Sequence, residues 1–173
     1  MEPIYLFHDQ GEGPDTLERF EDLLKNALPE TKYIRPYLPH IHPGVSAEDS
    51  FARISSKFNF PEKSVIIGVG LGGLIAAKYQ ENRPDMRVIA LASPTNAHGL
   101  SLKIKMDNRM AIYSSRDEKI KPYTNWPEFS HQAYEYTPLL FHDVESSRYM
   151  LSYLIKMYLV GGDVEKEING THS

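Results

Sequence analysis

An apolar, β-branched run that breaks into glycine constrains this chain more than any other stretch. Val65-Ile66-Ile67 stops at Gly68, Gly70, Gly72 and Gly73 follow closely, and an alanine-rich helical pattern then runs to about Gln80. That order reads as a buried strand, a tight turn with unusual backbone angles, and a helix packed close against the sheet. Two chemistries use such a layout: a strained turn that presents a nucleophile, and a glycine turn that cradles a phosphate. Which of them applies depends on the rest of the chain.

At 173 residues the default is one compact domain with a single core, here spanning 1–162 and followed by a polar tail over 163–173. With 41% hydrophobic and 24% charged residues, disordered and fibrous classes are excluded. A formal net charge of −4 without a Lys/Arg cluster argues against a nucleic-acid partner. The absence of cysteine removes disulfides, thiolate nucleophiles and cysteine metal sites, and fits a reducing, cytoplasmic setting. No apolar run reaches the roughly 18 residues of a membrane span, so no membrane partner is expected. Nothing in the sequence sets an oligomeric state.

Strand and helix signals alternate along the chain. Apolar runs at Pro3–Phe7, Thr31–Tyr37, Val65–Ile67, Arg87–Ala92, Arg109–Tyr113 and Ala133–Thr137 read as six strands. Helical patterns start at Asp15 or Thr16 (to about Leu28), at Ser46, after the glycine turn, and over about Ser146–Val160. The helix from Ser46 would turn Phe51, Ile54, Ser55 and Phe58 inward, and Tyr149, Tyr153 and Leu154 fit core spacing on the last one. Thr95–Asn108 is a polar connection with room for a short helix. The alternation predicts an α/β fold: a doubly wound, about six-stranded parallel sheet with helices on both faces. Ligands of such sheets sit at the carboxyl ends of the strands. His8, Asp9, the glycine turn, Ser93, Asp117 and His142 all fall there.

Gly68-Val69-Gly70-Leu71-Gly72-Gly73 formally satisfies G-x-G-x-x-G. A dinucleotide site also wants an acidic residue at the end of the next strand to hold the ribose. That strand ends Leu91-Ala92-Ser93 and supplies none. A nucleotide bound through the Gly68–Gly73 turn therefore remains only as an alternative. The other template, G-x-S-x-G, asks for an acid after a later strand and a histidine after the last one. Asp117 and His142 occur in that order.

On these residues the chain resembles the α/β-hydrolase superfamily, in particular its small members without a cap domain. The resemblance runs over nearly the whole chain. It rests on His8-Asp9-Gln10-Gly11 as an oxyanion loop, Gly68–Gly73 as the elbow, Ser115-Arg116-Asp117 as the acid turn and Phe141-His142 as the base. It implies Asp117 and His142 as a catalytic pair, and Asp9, Gln10 and Leu71 around the oxyanion or ligand position. Two positions depart from the pattern. Gly70 stands where the nucleophilic serine belongs, and Asp9 puts a negative charge where the family has glycine.

Glycine has no atom with which to attack a carbonyl, so ordinary ester hydrolysis lacks its first step. The expectation is thus a hydrolase-fold protein without a serine nucleophile, a pseudoenzyme by the usual criterion. It would bind an acyl, ester or lactone-like small molecule, or use the Asp117–His142 pair for non-hydrolytic acid–base chemistry. The alternative is a serine esterase or thioesterase whose nucleophile has been replaced by Gly70. His8 reads as a loop-shaping side chain, and Ser93 and Ser114 as turn serines rather than substitutes for the hydroxyl. His40 and His42 lie in a proline-bounded loop without a third ligand, so no metal is assigned, and no cofactor is expected. Tyr123, Trp126 and Phe129 either line a ligand pocket or cover a sheet edge.

Overall fold

The computed structural model describes residues 2–38, 51–53, 56, 59–121 and 123–172. Its frame is a six-stranded sheet whose strands are β1 (Ile4–Phe7), β2 (Tyr33–Ile34), β3 (Val65–Val69), β4 (Arg87–Leu91), β7 (Met106–Tyr113) and β8 (Ser130–Glu135). They lie in the order β2-β1-β3-β4-β7-β8, and every neighbouring pair is parallel. Because all strands run one way, all their carboxyl ends meet along a single edge.

Period-two alternation sends side chains to two separate cores. Ile4, Leu6, Val65, Ile67, Ile89, Leu91, Met110 and Ile112 face α1 (Glu18–Ala27) and α3 (Arg148–Leu159). Ile66, Val88, Ala90, Ala111 and Tyr113 face α2 (Leu71–Gln80) on the other side. The central strand β3 is buried along its whole length, as a parallel strand covered on both faces must be. Helix α2 can approach it closely because Gly68 has no side chain. A Cβ there would lie 2.5 Å from backbone atoms of Gly72 and Gly73.

Four expectations change. The Thr95–Asn108 connection forms no helix. It carries a small antiparallel hairpin, β5 (Asn96–Ala97) with β6 (Leu100–Ser101), closed by His98 (φ 52°) and Gly99 (φ 84°). Two successive positive φ values are what a tight two-residue hairpin turn demands. The polar tail expected over 163–173 is ordered: Val164–His172 forms a further helix, α4, that buries Val164 and Ile168 in the α1/α3 core. Tyr149 and Tyr153 are exposed (65% and 42%), while Leu151, Leu154, Ile155 and Tyr158 bury the inner face of α3. The last sheet strand starts at Ser130, earlier than its aromatic alternation suggests. Of the helix expected from Ser46, residues 51–53 and 56 are helical and Phe51 packs against the α2-side core, while Ser46, Ile54, Ser55, Phe58 and the His40/His42 loop lie outside the described residues.

Trp126 turns out to be fully buried in the α2-side core, where its indole N–H donates to the Ser93 carbonyl at 2.7 Å. Tyr123 is exposed and Phe129 packs beside Trp126's core. No helix among the described residues is long and apolar enough to cross a membrane.

Candidate active site

Strand register decides which residues meet. Phe7 lies opposite Gly68 across β1 and β3, so two residues further along each chain Asp9 arrives against Gly70. Gly70 has φ 57° and ψ −128°, a conformation that glycine adopts without the cost an L side chain would incur. Its N–H is held by the Leu91 carbonyl at 2.9 Å and its own carbonyl accepts the Gly73 N–H at 3.0 Å. The turn is therefore fixed from both sides. A Cβ built at Gly70 would fall inside the Asp9 carboxyl group. The Asp9 side chain occupies the space that a residue-70 side chain would need.

His8 sets the approach of that carboxylate. Its Nε2 accepts the Leu38 N–H at 2.8 Å, which leaves the proton on Nδ1 to donate to the Asp9 carbonyl at 2.8 Å. The Asp9 Oδ1 then accepts two backbone donors, Gln10 N–H at 2.7 Å and Leu71 N–H at 2.8 Å. Leu71 N–H is the first amide of α2 and belongs to the residue after the elbow position, so a negative charge is favoured there by the helix terminus as well.

Asp117 and His142 are brought together from the far side. Asp117 sits four residues beyond β7, fully buried, with Oδ1 on the Lys119 N–H at 2.9 Å. His142 ends a short 3-10 turn (Thr137–Phe141) in a left-handed conformation, φ 59° and ψ 25°. Its Nδ1 lies 2.7 Å from Asp117 Oδ2 and its Nε2 lies 2.8 Å from Asp9 Oδ2. A carboxylate only accepts, so an imidazole that satisfies both must carry a proton on each nitrogen.

The electrostatics follow that geometry. For His142, burial is the largest single effect and pushes its pKa down. The hydrogen bonds and charges of Asp9 and Asp117 together outweigh it and leave the imidazole above its ordinary value. For Asp9, burial pushes up, while the bonds from His142, Leu71 N–H and Gln10 N–H win and hold the carboxyl below its ordinary value. Both neighbouring carboxylates favour the protonated form of the imidazole that lies between them.

Among the described residues, two clefts open on Asp9 and His142. One of about 340 Å³ is walled by Leu71, Pro94, Ala97 and Ile120, with His98 and Lys119 at its border. The other, about 450 Å³, lies towards α1 and is lined by Glu12, Asp15, Glu18, Asp143 and Glu145 against Arg19 and Lys119. Ser93 and Ser114 line neither and are buried. Ser93 Oγ donates to the Leu91 carbonyl and Ser114 Oγ accepts the Arg116 N–H. Among the described residues no cluster of His, Asp and Glu suits a metal.

Sequence reasoning placed Asp9, Gln10, Gly70, Leu71, Asp117 and His142 at one edge, and all six meet there. It missed the contact between Asp9 and His142 and the mutual exclusion of Asp9 and a residue-70 side chain. It also missed His98 and Lys119, for which the sequence carries little signal beyond their nearness to Gly99 and Asp117.

No protein-family model matches the chain, and no curated protein matches it. Solved structures do. A protein assigned as a hydrolase of the α/β superfamily from Xanthomonas campestris pv. campestris is 14% identical, with a TM-score of 0.61 over 93% of this chain and 99% of that one. A carboxylesterase from Mesorhizobium loti is 13% identical, with a TM-score of 0.57 over 92% and 88%. An extracellular α/β-hydrolase from a Paenibacillus species is 10% identical, with a TM-score of 0.52 over 90% and 98%. Taken with the parallel sheet, the glycine elbow and the strand-end residues, this likeness is one of architecture: the chain has the α/β-hydrolase fold in a minimal form.

Proposed function

We propose that the chain acts on, or binds, a small molecule by acid–base chemistry centred on His142, and not through a serine acyl-enzyme. One observation carries the reading. The Asp9 carboxylate fills the volume of the absent side chain at position 70, takes the Gln10 and Leu71 amides, and faces His142 Nε2. An ester or lactone carbonyl would need those same two amides to stabilise its oxyanion, and here they already hold a full negative charge. Carbonyl binding in that hole is thus disfavoured, and a proton held on His142 between two carboxylates is what the site has to offer.

The same observation weighs on the alternatives. A serine esterase or thioesterase needs a hydroxyl at position 70, where the Asp9 carboxyl now sits. A nucleotide phosphate on the Gly68–Gly73 turn would meet the Asp9 carboxylate at the Leu71 amide, and like charges repel.

The test uses a substrate that needs only a base. Elimination of 5-nitrobenzisoxazole should be catalysed by the wild-type protein, with a rate that rises as pH passes through the elevated His142 pKa. His142→Ala should lower that rate by about 100-fold, and para-nitrophenyl esters should give no burst. An acyl-serine adduct, or elimination indifferent to loss of His142, would sink the proposal.

A further inference from the structure

We infer that a second cleft, at the amino ends of the central strands and on the opposite edge of the sheet from Asp9 and His142, binds a medium-chain aliphatic carboxylate. It is independent of the chemistry assigned to His142.

The hollow is built where strands begin and helices end. Ile4 opens β1, Val65 opens β3, Leu28 follows α1, and Leu159 and Val160 finish α3. Ile4, Leu28 and Val65 belong to the α1/α3 core, while Val160 is 62% exposed at the mouth. These walls are aliphatic and offer no ring face to a planar ligand. The cleft holds about 240 Å³. That is below the roughly 300–1,000 Å³ taken by drug-sized ligands, and suits a chain of about eight carbons.

Two cations, Lys63 and Arg87, border this hollow against one carboxylate, Glu2. Neither cation is spent within the fold. Arg35 and Arg83 each hold a carboxylate, at 3.3 and 3.1 Å. The Arg87 guanidinium has no such partner among the described residues, and lies over the Tyr158 ring at 5.2 Å from its centroid. A ring face attracts the cation without using its N–H donors, which remain to grip a carboxylate.

Lys63 is held in a left-handed conformation, φ 61°, and its N–H donates to Asp85 Oδ2 at 2.9 Å. The hydrogen bonds of Arg83, and then that N–H, bring the Asp85 carboxyl down to about 2. Asp85 is thus committed to Arg83 and to the Lys63 backbone, and the Lys63 ammonium has no partner among the described residues. Glycine would adopt that φ without cost, so the turn alone does not call for a lysine. The two helix ends nearby are partly neutralised. The Tyr33 hydroxyl donates to the Leu24 and Leu28 carbonyls, and the Gly161 and Gly162 N–H groups close the last turn of α3. The excess of positive charge over an aliphatic hollow selects an amphiphile with an anionic head, and repels an alkylammonium.

Sodium octanoate is the probe, titrated into the wild-type chain by calorimetry and followed by methyl NMR. Saturable binding should shift the methyls of Ile4, Leu28 and Val65, and leave those of Leu71 and Ile120, in the cleft beside His142, in place. Acetate lacks the chain and octyltrimethylammonium reverses the charge, so each should bind at least about 10-fold more weakly. Arg87→Gln should raise Kd by about 10-fold and the more exposed Lys63→Gly by about 3-fold. Lys63→Gly relaxes the φ 61° turn, so it removes the charge without straining the fold. Octanoate that shifts only Leu71 and Ile120 overturns the inference, as does equal binding of acetate or octyltrimethylammonium. An unchanged Kd in both variants overturns it as well. Vesicles of anionic phospholipid that bind the chain when free octanoate does not would replace it with a membrane-contact face. The wild-type methyl map needs no substitution, so a misfolded variant does not stop the test.

Discussion

The two halves of the site were built by different rules. On the β7–β8 side, a buried aspartate orients a histidine through Nδ1 at 2.7 Å, an arrangement that any triad chemistry on this fold would need. On the β1–β3 side, the elbow keeps its backbone, with Gly70 in the unusual conformation and Leu71 offering its amide, yet the side chain comes from the wrong strand. Asp9 reaches across from β1 to sit where position 70 would project. The contrast teaches that Gly70 and Asp9 are one structural event. The small residue at position 70 makes room for the carboxylate at position 9, and the carboxylate fills that room.

The strongest way to break that comparison is to put a serine at position 70. Gly70→Ser alone forces a side chain into the Asp9 carboxyl and into a left-handed backbone, and should cost about 2–4 kcal/mol of unfolding free energy. Gly70→Ser with Asp9→Gly should recover at least about 1 kcal/mol of it, read as coupling in a double-mutant cycle by urea unfolding. The double variant should also react with a fluorophosphonate at position 70, whereas the single variant should not. Additive costs would show that the two positions are independent.

Asp117→Ala probes the other half. It removes a fully buried side chain and leaves two part-buried donors, the Lys119 amide and the His142 Nδ1–H, without their acceptor, at a cost of about 1–3 kcal/mol. The His142 pKa should fall, because one of its two stabilising charges is gone, and NMR titration of the ring protons would read the change. A His142 pKa that stays put would mean that Asp9 alone sets it.

The smallest effect is also the most specific to Asp9. His142 has a raised pKa in the folded state, so its contribution to stability is complete below its ordinary value of about 6.5 and drains away as pH rises through the folded value. Asp9 has a lowered one, so its contribution is present above about 3.9 and is lost as pH falls through the folded value. Stability should therefore be greatest in the mildly acidic to neutral window. Asp9→Asn keeps the shape and removes the charge, so both flanks should flatten, with a loss of about 1 kcal/mol at neutral pH. Tm measured across pH for the two proteins checks this.

Much of the architecture is written locally. The β-branched run of β3, the glycines after it and the order of Asp117 and His142 are all features of neighbouring residues or of sequence order. What stayed hidden depends on register or on distant partners. That Asp9 meets Gly70 follows from Phe7 pairing with Gly68, a fact that no window around either residue contains. Tyr149 and Tyr153 have core spacing but fall on the outer face of α3, because Leu151, Leu154, Ile155 and Tyr158 already fill the inner one. The α4 helix was legible in principle: Val164 and Ile168 are four residues apart and both are buried. Their polar surroundings masked the pattern. The His98-Gly99 turn likewise offered a glycine as its signal.

The shared volume at the elbow also has a direction in time. A serine at position 70 and an aspartate at position 9 cannot both be seated as Gly70 and Asp9 are now. Any stepwise history that leads from a serine-bearing ancestor to this arrangement runs most easily through loss of the position-70 side chain, with the aspartate arriving afterwards into vacated space. The way back is ordered oppositely: position 9 must shrink before a hydroxyl can return. A side chain at position 70 is thus opposed by sterics for as long as Asp9 keeps its present seat.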